Sequence, residues 1–137
     1  MLDKLVEQLI KHEGEILTAY KCPSGYITVG VGRNLEGKGI TKSESRMLLV
    51  NDIAECIADL RNLFGRQWEG MSDNRRVALT DMRFNLGPSR FRSFRRMIQA
   101  IRAEDWAWAG KEAMDSRWAI QVQKSRSGLI YVQLVGE

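Results

Sequence analysis

Three polar side chains near the N-terminus have types and a spacing that could serve hydrolytic chemistry. Glu13 stands where a helical pattern ends, Cys22 follows nine residues later, and Thr28 six residues after that. A carboxyl in a partly apolar pocket stays protonated near neutral pH and can act as a general acid. A cysteine thiolate is a strong nucleophile, and a threonine hydroxyl can hold a water. The set fits cleavage of a glycosidic bond, which needs an acid and a second group on the opposite face of the sugar.

The neighbouring polar residues have simpler interpretations. Glu15 is interpreted as a solvated charge at a strand edge, and His12 as a histidine at a helix end. Lys21 could lower the pKa of the Cys22 thiol, although adjacent residues of a strand point to opposite faces. With one histidine and no cysteine pair at ligand spacing, we predict no metal site and no cofactor.

The surrounding pattern predicts elements that could bring the three side chains together. Apolar residues at helical spacing predict a first helix that ends near Gly14. Three short strands follow, at 16–20, 26–29 and 31–35, and the turn CPSG joins the first two. Residue 28 would then lie roughly opposite the first strand, so the three groups could converge on one wall.

The remainder of the chain has helical patterns. Thr41 and Glu44 have the spacing of a capping box and open a helix that reaches about Leu63. Further helices are predicted from Ser72 or Asp73 to Gly87, from Ser89 onward, and over 104–114 and 115–122. The last segment, 125–137, fits either a helix or a strand.

These elements predict an α+β fold in one domain that spans residues 1–137. A small three-stranded antiparallel β-lobe would occupy about 15–36. A mostly helical lobe would occupy about 41–137 and include the N-terminal helix, with a ligand cleft between the lobes.

Composition and charge narrow the class of protein. Hydrophobic residues make up 44% and charged residues 28% of the chain, as in globular proteins. The net charge of +4 and the pI of about 9.3 favour an anionic partner such as nucleic acid, a membrane surface or a wall polymer. Cys22 and Cys56 are interpreted as free thiols, although the sequence does not exclude one bridge. We expect no transmembrane segment and no signal peptide, because no apolar run is long enough and the N-terminus is too polar.

Several motifs spread along most of the chain point to one family. They are YKCPSGYITVGVGR, GITKSESRMLLVND, RRVALTDMRFNLG and a later SRW. This set resembles the phage-type lysozymes, the endolysin family of glycoside hydrolases (family 24). The resemblance implies that Glu13 is the general acid, that Cys22 is the second catalytic group, and that Thr28 helps to position the attacking water. Cys22 stands where the family more often has Asp.

The resemblance also implies four substrate-binding positions. Phe84 and Asn85 would line the cleft from the helical lobe, and Arg126 would match the family's arginine that pairs with the catalytic glutamate. Arg33 stands where the family often has histidine, directly after the glycine-rich strand.

The implied function is that of a lysozyme that hydrolyses the β-1,4 bond between N-acetylmuramic acid and N-acetylglucosamine in bacterial peptidoglycan. We expect a monomer that is made in the host cytoplasm and reaches the wall through holin-type release or as a virion component. Cys22 as a base for water and Cys22 as a nucleophile are both open, and so are inversion and retention. One alternative is a lysozyme-like, wall-binding module without catalysis. The other is a basic nucleic-acid-binding protein, against which the lack of a reader motif argues.

Overall fold

A helix followed by a small antiparallel sheet forms the N-terminal part of the chain in the computed structural model, which describes residues 1–122 and 124–136. The chain divides into two units, Met1–Leu48 and Leu49–Glu137. The first unit contains α1 (Leu2–Glu13), β1 (Ile16–Lys21), β2 (Ile27–Gly30), β3 (Arg33–Asn34) and the start of α2. The first helix and the three strands confirm the predicted order of elements.

Gly14 ends α1 because it takes up a backbone conformation that other residues rarely adopt. Its φ is 76°, and its N–H donates to the Ile10 carbonyl at 2.8 Å. The chain then turns directly into β1. Glu13 is therefore the last helical residue, as the sequence pattern predicted.

The sheet has the order β1-β2-β3, and both pairs of strands are antiparallel. Tyr20 pairs with Thr28 and Lys21 with Ile27, and the register shifts between Ile16 and Tyr20. The CPSG turn closes with the Gly25 N–H donating to the Cys22 carbonyl at 2.8 Å. Proline at the second position and glycine at the fourth are favoured in such a turn.

The third strand is shorter than the predicted segment 31–35. Only Arg33 and Asn34 are extended and paired, and Arg33 lies opposite Val29. Gly30 and Gly32 have φ values of 67° and 70°, so the residues between β2 and β3 form a tight turn. Val31 and Gly32, which the apolar pattern had assigned to the third strand, therefore belong to the turn.

Seven helices are found from residue 42 onward in the part of the chain that the structure describes. They are α2 (Lys42–Phe64), α3 (Arg66–Gly70), α4 (Asp73–Arg92), α5 (Arg95–Arg102), α6 (Trp106–Met114), α7 (Arg117–Gln121) and α8 (Lys124–Val135). The predicted capping box is confirmed: the Glu44 N–H donates to Thr41 Oγ1 at 3.1 Å and the Thr41 N–H to Glu44 Oε1 at 2.9 Å. Ser72 caps α4 by accepting the Arg75 N–H at 3.3 Å. The short α3 was not predicted.

The predicted break at Gly87-Pro88 is a kink inside α4. Gly87 has φ 80° and ψ 172°, outside the helical region. Pro88 lacks an N–H and disfavours a helical conformation in the residue before it. The helix resumes to Arg92, and α5 begins three residues later, so the single helix predicted from Ser89 is two short helices.

The hydrophobic core of the second unit is formed by side chains from several of its helices. Leu60, Trp68, Leu79, Met82, Phe91, Ile101, Ile130 and Leu134 are among its buried members. The last segment is the helix α8, and Ile130 and Leu134 bury its inner face. Cys56 is buried on α2, and both cysteines are free thiols. The predicted α+β class is confirmed: the fold is mostly helical with one small antiparallel sheet.

Among the described residues, no helix combines the length and the apolar character that crossing a membrane requires.

Candidate active site

Glu13 lies at the end of α1 beside the turn between β2 and β3. A Cβ atom placed on Gly32 would be 3.9 Å from Glu13 Oε2, so the carboxylate lies against the backbone of that turn. The Glu13 side chain is exposed. Residues 1–48, all of which the structure describes, therefore do not by themselves form a partly apolar pocket around the Glu13 carboxyl.

Cys22 and Thr28 share one face of the β1–β2 hairpin. Thr28 lies opposite Tyr20, and Cys22 is two residues beyond Tyr20, so the two side chains point the same way. The Cys22 N–H donates to the Tyr26 carbonyl at 2.9 Å, which continues the strand pairing as far as the turn. Cys22 is partly exposed.

The pKa of the Cys22 thiol is lowered from its usual value by hydrogen-bond donors of the turn. The backbone hydrogen bond from Tyr26 is the largest cause, and partial desolvation opposes it. Backbone groups of Ser24 and Gly25 and the Thr28 hydroxyl lower the pKa further. Lys21 pairs with Ile27 on the other face of the hairpin. The pKa of the Cys22 thiol is lowered by hydrogen-bond donors and not by the charge of Lys21. The arrangement favours the thiolate, which is the reactive form of cysteine.

Thr28 is the only residue of 1–48, a segment described throughout, that is buried. Its side chain is 3% exposed, and its hydroxyl donates to the Tyr26 carbonyl at 2.9 Å. A buried hydroxyl needs such a partner, because an unpaired one is costly to desolvate. The same hydroxyl can rotate to donate to a thiolate at Cys22, so it can respond to the charge on the sulfur.

Arg33 is engaged by protein groups of the first unit. Its Nη1 donates to Glu44 Oε1 at 2.7 Å and to the Gly39 carbonyl at 3.2 Å. The Arg33 hydrogen bond, with the Thr41 N–H and hydroxyl, lowers the pKa of Glu44 to about 2. The sequence had identified Glu44 only as a capping residue. Its second partner lies eleven residues away, and no local pattern indicates it.

The other three predicted substrate-binding residues lie in the second unit. Phe84 is 44% exposed and lines a mostly apolar cavity of about 720 Å³ within that unit. Asn85 Oδ1 accepts the indole N–H of Trp118 at 2.7 Å. Arg126 Nε donates to Asp81 Oδ1 at 2.9 Å, a partner 45 residues away that the sequence did not reveal. The pairing of Arg126 with Glu13 stays a prediction.

No group of three or more His, Cys, Asp or Glu side chains among the described residues is arranged to hold a metal ion. The chemistry available to the first unit is that of a carboxyl, a thiol favoured as thiolate and a hydroxyl. Such groups can donate a proton, accept a proton or attack an electrophilic carbon.

Comparison with known proteins gives one family and several relatives. The family described as phage lysozyme matches residues 10–131. Probable T4-type lysozyme 2 and probable T4-type lysozyme 1 of Dictyostelium discoideum are 28% and 25% identical to this chain, and each alignment covers 96% of this chain and 94% of the relative. The pre-baseplate central spike protein Gp5 of Enterobacteria phage T4 is 28% identical over 96% of this chain, which spans only 28% of that protein.

Proposed function

This chain belongs to the phage lysozyme family, and from that premise we propose that it hydrolyses the β-1,4 bond between N-acetylmuramic acid and N-acetylglucosamine in bacterial peptidoglycan. A lysozyme-like glycosidase is the function that the family supports. The bond cleaved, the identity of the catalytic residues and the wall substrate are the parts that we add.

Each of the three candidate residues takes part in the proposed reaction. Glu13 protonates the oxygen of the leaving sugar as the bond to the anomeric carbon breaks. Cys22, on the other face, either takes a proton from the attacking water or attacks the anomeric carbon itself. Thr28 holds the water or the sulfur in place through its hydroxyl.

The observation that carries the proposal is the surroundings of the Cys22 sulfur. A thiolate can replace the more common carboxylate only if its charge is stabilised at the working pH. Cys22 shares one face of the hairpin with the buried Thr28, and the pKa of its thiol is lowered, chiefly by the Tyr26 backbone just after the CPSG turn.

The stereochemistry of the product distinguishes the two roles of Cys22. A base that activates water inverts the anomeric carbon, whereas a nucleophile that forms a thioglycosyl intermediate retains its configuration after the second step. The configuration of the first-formed reducing sugar can be read by proton NMR during the first turnovers.

The decisive experiment measures reducing-sugar release from purified peptidoglycan together with the turbidity of a cell-wall suspension. Glu13→Gln should abolish both signals while circular dichroism stays unchanged, because the amide keeps the shape but cannot donate the proton. Glu15→Gln, a nearby exposed carboxylate, is the matched control and should retain full activity. Full activity in Glu13→Gln would refute the assignment.

The same assay tests the alternative of a wall-binding module without catalysis. Such a module would bind the walls and pellet with them, but wild type would release no reducing sugar.

The proposal also includes a cellular setting. The chain would be made in a host cytoplasm and would reach the wall by holin-type release or within a virion. Detection of the chain in purified virions would select the second route.

A further inference from the structure

An ion pair joins β3 to the first turn of α2. Arg33 Nη1 donates to Glu44 Oε1 at 2.7 Å and to the Gly39 carbonyl at 3.2 Å. Glu44 Oε1 also accepts the Thr41 N–H at 2.9 Å. These four residues form a network that we call the Arg33–Glu44 clamp. It connects a strand, the loop after it and a helix through one carboxylate oxygen and one guanidinium nitrogen.

The clamp stays charged over the neutral and mildly acidic range. The pKa of Glu44 is about 2, chiefly because Arg33 donates a hydrogen bond to its carboxylate and secondly because the Thr41 N–H does so. The Arg33 guanidinium is always protonated in proteins. The connection between β3 and α2 therefore does not depend on pH where a wall hydrolase would work.

The clamp begins one residue from the place where the Glu13 carboxylate lies. Arg33 directly follows Gly32, and a Cβ on Gly32 would be 3.9 Å from Glu13 Oε2. Gly30 and Gly32 both have positive φ values, which only glycine adopts without strain. Two glycines make the turn possible, but they do not make it stiff. The position of the turn must be fixed by groups outside it.

We propose that Arg33 is a positioning residue, which acts through Glu44 and Gly39 to fix the β2–β3 turn beneath the Glu13 carboxylate. The inference rests on the proposed role of Glu13 as the proton donor. It assigns Arg33 a different role from the direct substrate contact that the family resemblance implied. A misplacement of a reacting group by about 1 Å can cost roughly 10²-fold in rate, so a loosened turn would lower turnover without removing any group that touches the sugar.

The partial exposure of the clamp makes this inference testable. The side chains of Arg33 and Glu44 are 29% and 41% exposed. Ion pairs at this level of exposure contribute little to stability. Variants that lack the pair should therefore fold, and a loss of activity can be separated from a loss of structure.

The experiment measures kcat and KM on soluble, uncrosslinked peptidoglycan strands. Arg33→Gln and Glu44→Gln should each lower kcat about tenfold and leave KM within about twofold, because they move the acid and not the binding groups. The double variant should be no worse than the poorer single variant, since both changes break one connection. Arg33→Lys keeps one charged donor for Glu44 and should recover most of the lost kcat. Arg46→Gln, on the exposed surface of α2, is the matched control and should behave as wild type.

The outcomes separate the inference from the function on which it rests. A raised KM with normal kcat in Arg33→Gln, alongside a normal Glu44→Gln, would mean that Arg33 binds substrate and would overturn the inference. Unchanged kinetics in both variants would also overturn it. If Arg33→Gln fails to fold, the kcat values of the other two variants decide. A kcat lowered about tenfold in Glu44→Gln, with a kcat close to that of wild type in Arg33→Lys, supports the inference, and a normal kcat in Glu44→Gln overturns it. An inactive wild type, or a fully active Glu13→Gln, would refute the proposed function itself. An active wild type with an inactive Glu13→Gln and a normal clamp variant would refute only the positioning role.

Discussion

The thiol of Cys22 is the candidate catalytic group whose chemistry follows most directly from its contacts. Its pKa is lowered, first by the Tyr26 backbone and further by Ser24, Gly25 and Thr28. The thiolate is the reactive form of cysteine, and its fraction rises as the pH rises through the pKa. A lowered pKa therefore extends the reactive range toward neutral pH. We expect Cys22 to react with iodoacetamide at a pH where an ordinary cysteine is still protonated. We also expect this alkylation to stop the clearing of a cell-wall suspension.

Substitution of Thr28 tests the cause of this shift. Thr28→Val removes one donor to the sulfur and should move the pH midpoint of Cys22 alkylation upward. Thr18→Val, on exposed β1, is the matched control and should leave the pH midpoint of alkylation unchanged.

Cys22→Ser should lower kcat/KM by about 10²-fold or more, whereas Cys22→Asp should keep much of the activity. Normal clearing by fully alkylated protein would make Cys22 a bystander.

Among the helices, the two parts of the kinked α4 are both joined to α2 through one carboxylate. Asp59 Oδ2 accepts from Arg83 Nε at 2.6 Å, before the kink at Gly87. After the kink, Arg92 Nη2 donates to Asp59 Oδ1 at 2.6 Å. The side chains of Asp59 and Arg83 are 21% and 10% exposed, so water screens this pair less than a surface pair. The Asp59 carboxylate thus stabilises a bend that Gly87 and Pro88 permit.

Acid should weaken this connection in a defined pH window. The folded-state pKa of Asp59 is about 2, below its ordinary value of 3.8, because Arg92 and then Arg83 donate hydrogen bonds to the charged form. The stabilisation is therefore complete above the ordinary pKa and is lost as the pH falls from about 4 to about 2. The loss is on the order of 2 kcal/mol of unfolding free energy.

Urea unfolding as a function of pH measures this contribution. Asp59→Asn should be less stable than wild type at neutral pH by about 1–3 kcal/mol, and the difference should shrink below about pH 4. Asp52→Asn, on the exposed side of the same helix, should track wild type throughout. A constant difference between Asp59→Asn and wild type down to pH 2 would contradict the linkage argument.

How far these elements could be predicted depends on how local their causes are. Thr41 and Glu44 are three residues apart, and the capping box was found where the sequence placed it. The hairpin between β1 and β2 likewise follows from a turn motif and two apolar runs, which is why Thr28 lies opposite β1. The partners of Asp59 are 24 and 33 residues away on another helix. Side-chain pairing over such distances is set by packing, which residue periodicity does not specify.

The last segment shows the same limit for secondary structure. Gly128 and a mixed apolar run fitted a helix or a strand equally well in the sequence. The observed α8 packs against α4 and α6, and Ile130 and Leu134 become buried there. Tertiary packing decided the element, because intrinsic propensity was close to neutral. The catalytic roles of Glu13, Cys22 and Thr28, by contrast, stay predictions that only kinetics will test.

Over the chain as a whole, positive charge is concentrated rather than spread. Residues 1–60 carry a net charge of −2, from 7 Lys/Arg and 9 Asp/Glu. Because the whole chain carries +4, residues 61–137 carry +6. Residues 88–103, which include α5, contain five arginines and no acidic residue, and one of the five, Arg92, is paired with Asp59. Among them Arg95 and Arg96 are exposed. A local cluster of like charges attracts an anionic polymer more strongly than the same charges dispersed among acids.

Binding to peptidoglycan should therefore depend on salt and on α5. In a Glu13→Gln background, where the walls are expected to stay intact, pelleting with insoluble walls should weaken between about 50 mM and about 500 mM NaCl, because the screening length shortens. Arg95→Gln with Arg96→Gln should weaken binding several-fold at the lower salt and change little at the higher. Lys4→Gln with Lys11→Gln removes the same charge from α1, where Asp3 and Glu7 already offset it, and should have a smaller effect. Equal losses from the two double variants would mean that net charge alone drives binding, and salt-independent pelleting would exclude an electrostatic contribution altogether.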